Sequence, residues 1–325
     1  MLEQITAILE KPISQSFRGR DFLTLRDFTS EELWHILETA LIMKKEPRSS
    51  LLKGRILGMI FCKSSTRTRV SFEAGILHLG GAPLYLNKQD IQLGRGETIA
   101  DTARVLSRYL DGIMIRTHSH SEVEELGYWS TIPVINGLTD LFHPCQAMAD
   151  YLTVYEHFGR IKGLKIAFIG DGNNVANSLM LGAAKFGADF VLACPKEYEP
   201  SEQVLQWAEE IAAQTGSSIE VVHDPKAAAS GAHVLYTDVW TSMGQEAEQE
   251  KRIKDFAGYQ INGKLLELAD HNCIVMHCLP ARRGEEISED VLEGPKSKVF
   301  DEAENRLHVQ KAIMALIMQT ENPVC

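Results

Sequence analysis

The sequence predicts an α/β protein of two domains, each a mostly parallel sheet flanked by helices, joined by interdomain helices. Three observations carry that reading. A length of 325 residues fits two domains. Short apolar runs alternate with segments of helical period along the whole chain, the rhythm of parallel strands joined by helices. That rhythm also restarts around Gly159-Arg-Ile-Lys-Gly163. The expected domains are therefore residues 1–150 and 151–325, with a final helix from about residue 302 packing back on the first domain.

Composition limits the classes of partner. Hydrophobic residues make up 44% and charged residues 24% of the chain, an ordinary globular balance with ample material for a core. The net charge of −11 argues against a general nucleic-acid or anionic-membrane surface, so an anionic ligand has to be held by local groups. No long apolar run suggests a membrane span. The opening Met1-Leu2-Glu3-Gln4 lacks the basic, apolar, small-residue progression of a leader, and a cytoplasmic location is expected. Cys62, Cys145, Cys194, Cys273, Cys278 and Cys325 include no C-x-x-C pair, so neither a disulfide framework nor a metal site is expected.

In chain order, Thr29-Ser-Glu-Glu32 reads as a capping box, followed at helical spacing by Leu33, Ile36, Leu37, Ala40 and Leu41. Ile56 to Cys62 reads as a buried strand. The turn after it places Ser65, Thr66, Arg67, Thr68 and Arg69 at the start of a helix whose residues Val70, Phe72, Ala74, Ile76 and Leu77 predict a mostly buried element. Free N–H groups at a helix N-terminus favour an anion, and an arginine fork adds paired donors that suit phosphate oxygens. On its own such a cluster is more often a capped helix with two solvated arginines.

Pro83 to Leu86 predicts a short strand, Asn87 to Glu97 a polar loop, and residues 98–110 a helix. Gly112 to Arg116 is the next strand, and Arg116 at its end sits where open α/β sheets present ligand groups. The strand Ile132–Ile135 leads to Phe142-His-Pro-Cys-Gln146, where proline at a first helical position points His143 and Gln146 toward a helix mouth.

In the second half the strands are expected at Leu164–Gly170, Phe190–Cys194, Ile219–His223 and Val234–Thr237, with a last one beginning at Ile274. The turn Gly170-Asp-Gly-Asn-Asn174 invites a dinucleotide reading. Val175 stands at the third glycine position, however, and no acidic residue ends the next strand, which counts against it. Asp238 and Cys278 each follow an apolar run, putting a carboxylate and a thiol at two further strand ends. Glu302 is expected to open the last helix, with Arg306 in its first turn.

Four ordered motifs, Ser65-Thr-Arg-Thr-Arg69, His143-Pro-Cys-Gln146, Asp238-x-x-x-Ser242-Met-Gly244 and His277-Cys-Leu-Pro280, resemble the signature set of the ornithine carbamoyltransferases. The first two are shared by carbamoyltransferases in general, the last two by the ornithine branch. The resemblance implies transfer of a carbamoyl group from carbamoyl phosphate to the δ-amine of L-ornithine, giving L-citrulline and phosphate in arginine metabolism, without metal or cofactor. It implies that Ser65, Thr66, Arg67, Thr68, Arg116, His143 and Gln146 hold carbamoyl phosphate. Gln92 would reach a neighbouring subunit's site in a homotrimer. Asn174, Asp238, Ser242 and Met243 would hold ornithine, while Cys278, Leu279 and Arg306 complete the pocket, with Arg116, His143, Cys278 and Asp238 nearest the chemistry. Cys62 and Ser64 occupy variable positions around Lys63, and Arg282 stands where many members carry histidine. Putrescine, N-acetylornithine or aspartate as substrate, or a catalytically silent binding protein on the same fold, are the competing readings.

Overall fold

Among the residues described by the computed structural model (2–93, 96–241 and 246–319), nine strands form two sheets, each parallel throughout. The first holds β1 (Ile56–Phe61), β2 (Ala82–Asn87), β3 (Gly112–Arg116) and β4 (Val134–Leu138) in the order β2-β1-β3-β4. The second holds β5 (Lys165–Ile169), β6 (Asp189–Ala193), β7 (Ile219–Val222), β8 (Val234–Thr237) and β9 (Ile274–His277) in the order β7-β6-β5-β8-β9. In each sheet the order reverses beside the first strand, between β1 and β3 and between β5 and β8. Such switch points leave a crevice beyond the carboxyl ends of the two strands, where open α/β sheets bind ligands.

The chain divides into two units, Met1–Leu152 with Glu304–Cys325, and Thr153–Ala303. It leaves the first unit within the helix Pro144–Phe158 and returns to it within the helix Val299–Ile317. Most of the strands read as apolar runs, in keeping with parallel sheets packed on both faces, whereas β7 carries Glu220 and β2 is only partly buried. In the first unit Ile60, Ile113, Ile115 and Val134 form a core with Ala103, Val123 and Leu126 from flanking helices. In the second, Phe168 and Tyr236 stack at 5.5 Å inside the sheet's core. None of the described helices is long and apolar enough to cross a membrane.

Local signals set the helix ends. Thr29 and Glu32 form the reciprocal capping box that starts the helix Ser30–Lys45. Pro133 precedes β4, which begins at Val134 rather than Ile132, since a proline has no N–H for the ladder. The last helix begins at Val299, three residues before Glu302, so Arg306 lies in its second turn. In the helix Thr66–His78, Phe72 and Ile76 are buried, but Val70 and Leu77 are 57% and 58% exposed. These two stand two turns apart on one face, away from the sheet, so the expectation of a mostly buried helix is corrected to a half-buried one.

Candidate active site

The first unit gathers its charged groups at the switch point of its sheet. Ser65 caps the helix Thr66–His78, its Oγ accepting from the Thr68 N–H at 3.2 Å. Register places Arg116, the last residue of β3, beside Phe61, the last residue of β1. Arg116 thus emerges next to the turn that leads to Ser65. Its Nη1 donates to Thr68 Oγ1 at 3.4 Å, and Arg306 Nη2 donates to the same oxygen at 3.2 Å.

His143 precedes Pro144, and its carbonyl accepts the amides of Gln146 and Ala147, opening the helix Pro144–Phe158. Gln146 Nε2 donates to Asp150 Oδ1 at 2.8 Å, one turn on, which turns its Oε1 toward Arg306 Nη1 at 2.6 Å. With its amide set by its neighbours, Gln310 accepts from Arg306 Nε at 3.2 Å and Nη2 at 3.0 Å, and donates to Ser71 Oγ at 2.6 Å.

Burial and the positive charges of Arg306, Arg116 and Arg67 hold the His143 pKa well below the usual histidine value. The imidazole is therefore neutral in a pocket of guanidiniums. Three guanidiniums around a neutral ring make a site suited to an anion.

Within the Ser-Thr-Arg-Thr-Arg cluster the arginines diverge. Arg67 bears on His143. Arg69 instead pairs with Glu73 at 2.9 Å, and its guanidinium lies 3.7 Å over the Tyr85 ring. Thr66 is exposed. Gln92 is exposed in the segment between β2 and the helix Ile99–Leu106.

The second unit builds a different half-site at its own switch point. Asn173, next to the predicted Asn174, caps the helix Asn174–Phe186, accepting from the N–H groups of Val175 and Ala176. Its Nδ2 donates to Asp238 Oδ2 at 2.9 Å. Asp238 follows β8, is 8% exposed, and also accepts from the Val239 N–H at 2.8 Å and from Cys278 Sγ at 3.1 Å. Asp171 is joined to Arg252 at 2.6 Å, and Arg252 also donates to the Trp240 carbonyl. Burial raises the Asp171 pKa, opposed by the Arg252 bond.

Gly172 shows why this turn is glycine-rich without a dinucleotide to hold. A Cβ there would lie 2.4 Å from the Pro200 nitrogen and 2.8 Å from the Tyr198 carbonyl oxygen, so the close approach is to the protein's own backbone.

The turn after β9 is fixed from behind. Glu302 accepts from the Tyr236 hydroxyl and the His277 N–H, both at 3.0 Å. The Leu279 N–H donates to His277 Nδ1 at 2.9 Å, so Nε2 carries the ring hydrogen and gives it to Glu286 at 3.0 Å. Leu279 takes φ +55°, a left-handed conformation that this network pays for. Asp238, His277 and Cys278 offer ligand atoms within 4.8 Å of one another. With both imidazole nitrogens engaged, His277 has no lone pair left for a metal. Ser242 and Met243 lie outside the described residues.

Sequence reasoning passed over Asn173, Gln310, Ser71 and Arg252. Asn173 carried a signal in its position before a helix of buried residues. The others stand among ordinary polar helix positions, where nothing local distinguishes them.

Two parallel α/β units, one with three arginines around a neutral histidine at its strand ends, the other with a hydrogen-bonded carboxylate and thiol, have the layout of a carbamoyltransferase. Residues 20–156 match the family model described as the carbamoyl-P binding domain of aspartate/ornithine carbamoyltransferase, and residues 162–317 its Asp/Orn binding domain. The chain belongs to the aspartate/ornithine carbamoyltransferase family. It is 57% identical over 307 residues to the anabolic ornithine carbamoyltransferase of Pyrococcus furiosus, covering 93% of this chain and 98% of that protein. Over 308 residues it is 58% identical to the ornithine carbamoyltransferase of Thermococcus kodakarensis, covering 93% and 98%. The solved ornithine carbamoyltransferase from Pyrococcus furiosus superposes with a TM-score of 0.90, covering 93% of this chain and 98% of that one.

Proposed function

We propose that this chain transfers the carbamoyl group of carbamoyl phosphate to the δ-amine of L-ornithine, giving L-citrulline and phosphate, in the anabolic direction that leads to arginine. The observation that carries it is the arginine cluster. Arg67, Arg116 and Arg306 surround His143 at a helix N-terminus, a place suited to a phosphorylated donor. The anabolic direction rests on the name of the Pyrococcus furiosus relative, 57% identical over nearly its whole length.

The roles follow from charge. Ser65, Thr66, Arg67, Thr68 and Arg306 take the phosphate, with Gln146 orienting Arg306. Arg116, His143 and the Thr68 hydroxyl face the carbonyl oxygen, which gains negative charge as the tetrahedral species forms. The attacking amine must be neutral. An alkyl ammonium has a pKa near ~10.4, so roughly one molecule in 10³ is reactive at neutral pH, a handicap of about 4 kcal/mol. Desolvation of the bound amine lowers that handicap. Asp238 grips the α-ammonium, with Asn174, Ser242 and Met243 around the amino acid. Cys278 and Leu279 line the approach, the thiol as a contact to substrate and not as a nucleophile. The new carbon–nitrogen bond forms, the carbonyl carbon–phosphate oxygen bond breaks, and the surplus proton of the attacking nitrogen leaves with the phosphate, whose remaining charge the guanidiniums balance.

We also place the chain in a homotrimer in which Gln92 serves the neighbouring subunit's site. Support comes from the exposed side chains of Val70, Leu77 and Leu84, the last 45% exposed on β2, and from the exposure of Gln92 itself. Mixing two inactive variants, Gln92→Ala and Arg116→Ala, under subunit exchange is expected to restore part of the activity. No restoration would count against the shared site.

The test of the reaction is product identification. Purified protein is given carbamoyl phosphate with ornithine, N-acetylornithine, putrescine or aspartate in separate assays from pH 6 to 9. Citrulline from ornithine alone, rising with pH as the amine deprotonates, is the expected result. Product from a different amine would overturn the Asp238 assignment while leaving the phosphate half standing. No product from any would favour a silent binding protein.

A further inference from the structure

We infer that Gln310 is a positioning residue for carbamoyl phosphate, holding Arg306 in its binding pose through a neutral, buried contact. Gln310 is fully buried one helical turn beyond Arg306, so the two side chains share a face of the helix Val299–Ile317. Its amide oxygen accepts from Arg306 Nε and Nη2, at 3.2 Å and 3.0 Å, and its amide nitrogen donates to Ser71 Oγ at 2.6 Å. Ser71 Oγ in turn reaches the Thr68 carbonyl at 3.3 Å, and Arg306 Nη2 reaches the Thr68 hydroxyl at 3.2 Å. The contacts close a ring: Arg306, Gln310, Ser71, Thr68 and back to Arg306. Two helices from opposite ends of the sequence are locked together at the guanidinium that the proposed site needs.

The chemistry of the amide matters. Gln310, Gln146 and the Thr68 hydroxyl all accept from Arg306 as neutral oxygens. Neutral acceptors fix a guanidinium's orientation while leaving its positive charge for an incoming anion. A carboxylate in the place of Gln310 would fix the orientation equally well and cancel the charge. An apolar side chain would leave the charge and loosen the orientation, withdrawing one acceptor from Arg306 Nε and Nη2. The two substitutions therefore separate positioning from simple packing.

This inference rests on the reading that the arginine cluster holds carbamoyl phosphate, and the test keeps the two apart. Binding of inorganic phosphate and of carbamoyl phosphate is followed by calorimetry, with steady-state kinetics on the intact protein. Gln310→Met, close in volume, is expected to raise the KM for carbamoyl phosphate about tenfold, the usual scale for a lost hydrogen bond to a charged group, with the KM for ornithine unchanged. Gln310→Glu, whose carboxylate beside Arg306 is ionised from pH 6 to pH 9, is expected to weaken phosphate binding further. Ser71→Ala, which cuts only the anchor of the amide, should give a smaller change in the same direction and serves if the Gln310 variants fail to fold. Wild-type affinity in the variants, or equal rises in both KM values, would overturn the positioning role. Failure of the wild-type protein to bind phosphate or carbamoyl phosphate would overturn the site reading and this inference with it.

Discussion

Arg306 Nη1 lies 2.6 Å from Gln146 Oε1, across 160 residues of chain. The bond is buried, with Arg306 3% and Gln146 2% exposed. Gln146 is itself oriented by Asp150, so the glutamine relays a carboxylate's position to the guanidinium without placing the negative charge against it.

Gln146→Leu is expected to lower kcat/KM for carbamoyl phosphate by one to two orders of magnitude, since a buried hydrogen bond to a charged group contributes about 1.5–3 kcal/mol. Initial rates at saturating ornithine with carbamoyl phosphate varied would read this. An unchanged kcat/KM would mean that Arg306 keeps its pose unaided.

Arg116→Ala should act on turnover. Arg116 ends β3 and reaches Thr68 Oγ1, where a donor would meet the developing oxyanion. Loss of one such donor typically costs about 10²–10³ in kcat. Circular dichroism and thermal melting on the same sample distinguish this from unfolding; a kcat near wild type would remove Arg116 from the oxyanion role.

The depressed pKa of His143 sets a direction for stability with pH. In the unfolded chain the ring titrates near ~6.5, while in the folded protein it resists protonation to well below that value. The unfolded state therefore binds the extra proton first as pH falls. Its contribution to stability is fully present above about pH 6.5 and is lost as pH drops toward the folded pKa. His35, His78, His118, His120 and His308 are shifted the same way, chiefly by burial. Melting temperature should be level near neutral pH and fall in acid, with a shallower fall in His143→Gln. Parallel profiles for the two proteins would contradict the assignment. Between pH 6 and 9 the activity profile should carry no titration from His143.

Cys278 is expected to react slowly with iodoacetamide, because its S–H donates to Asp238 at 3.1 Å and a thiol so engaged is not a thiolate. Cys278→Ser, which keeps a donor to Asp238, should retain more activity than Cys278→Ala. Peptide mapping after timed alkylation, and trapping with carbamoyl phosphate alone, check both halves; a carbamoylated Cys278 during turnover would refute the contact role.

The strand ends were readable because each pairs an apolar run with an abrupt polar turn. Arg116, Asp238 and Cys278 all follow from that pattern, as does the start of the helix at Ser65. Parallel pairing does the rest, since register alone brings Arg116 beside Phe61. Local pattern fails where a side chain's role depends on a distant partner. Gln310 and Ser71 are polar residues in helices until folding sets them around Arg306. Arg252 reads as one more cation in a charged run, yet it is buried against Asp171 and the Trp240 carbonyl. Val70 and Leu77 mislead in the opposite sense, because apolar character alone does not say which face of a helix meets its own sheet.

The outer strand of the first sheet limits how this protein can associate. At the opposite margin β4 is partnered by the N-terminal segment, where the Phe22 N–H meets the Val134 carbonyl and the Phe22 carbonyl accepts from Asn136. Among the described residues β2 has no strand beyond it in the sheet, but Pro83 removes one ladder donor, and the Arg69 guanidinium roofs Tyr85 at 3.7 Å. A second copy cannot simply extend the ladder there. Copies that met on this side would do so through side chains such as Val70, Leu77 and Leu84 rather than by lengthening the sheet.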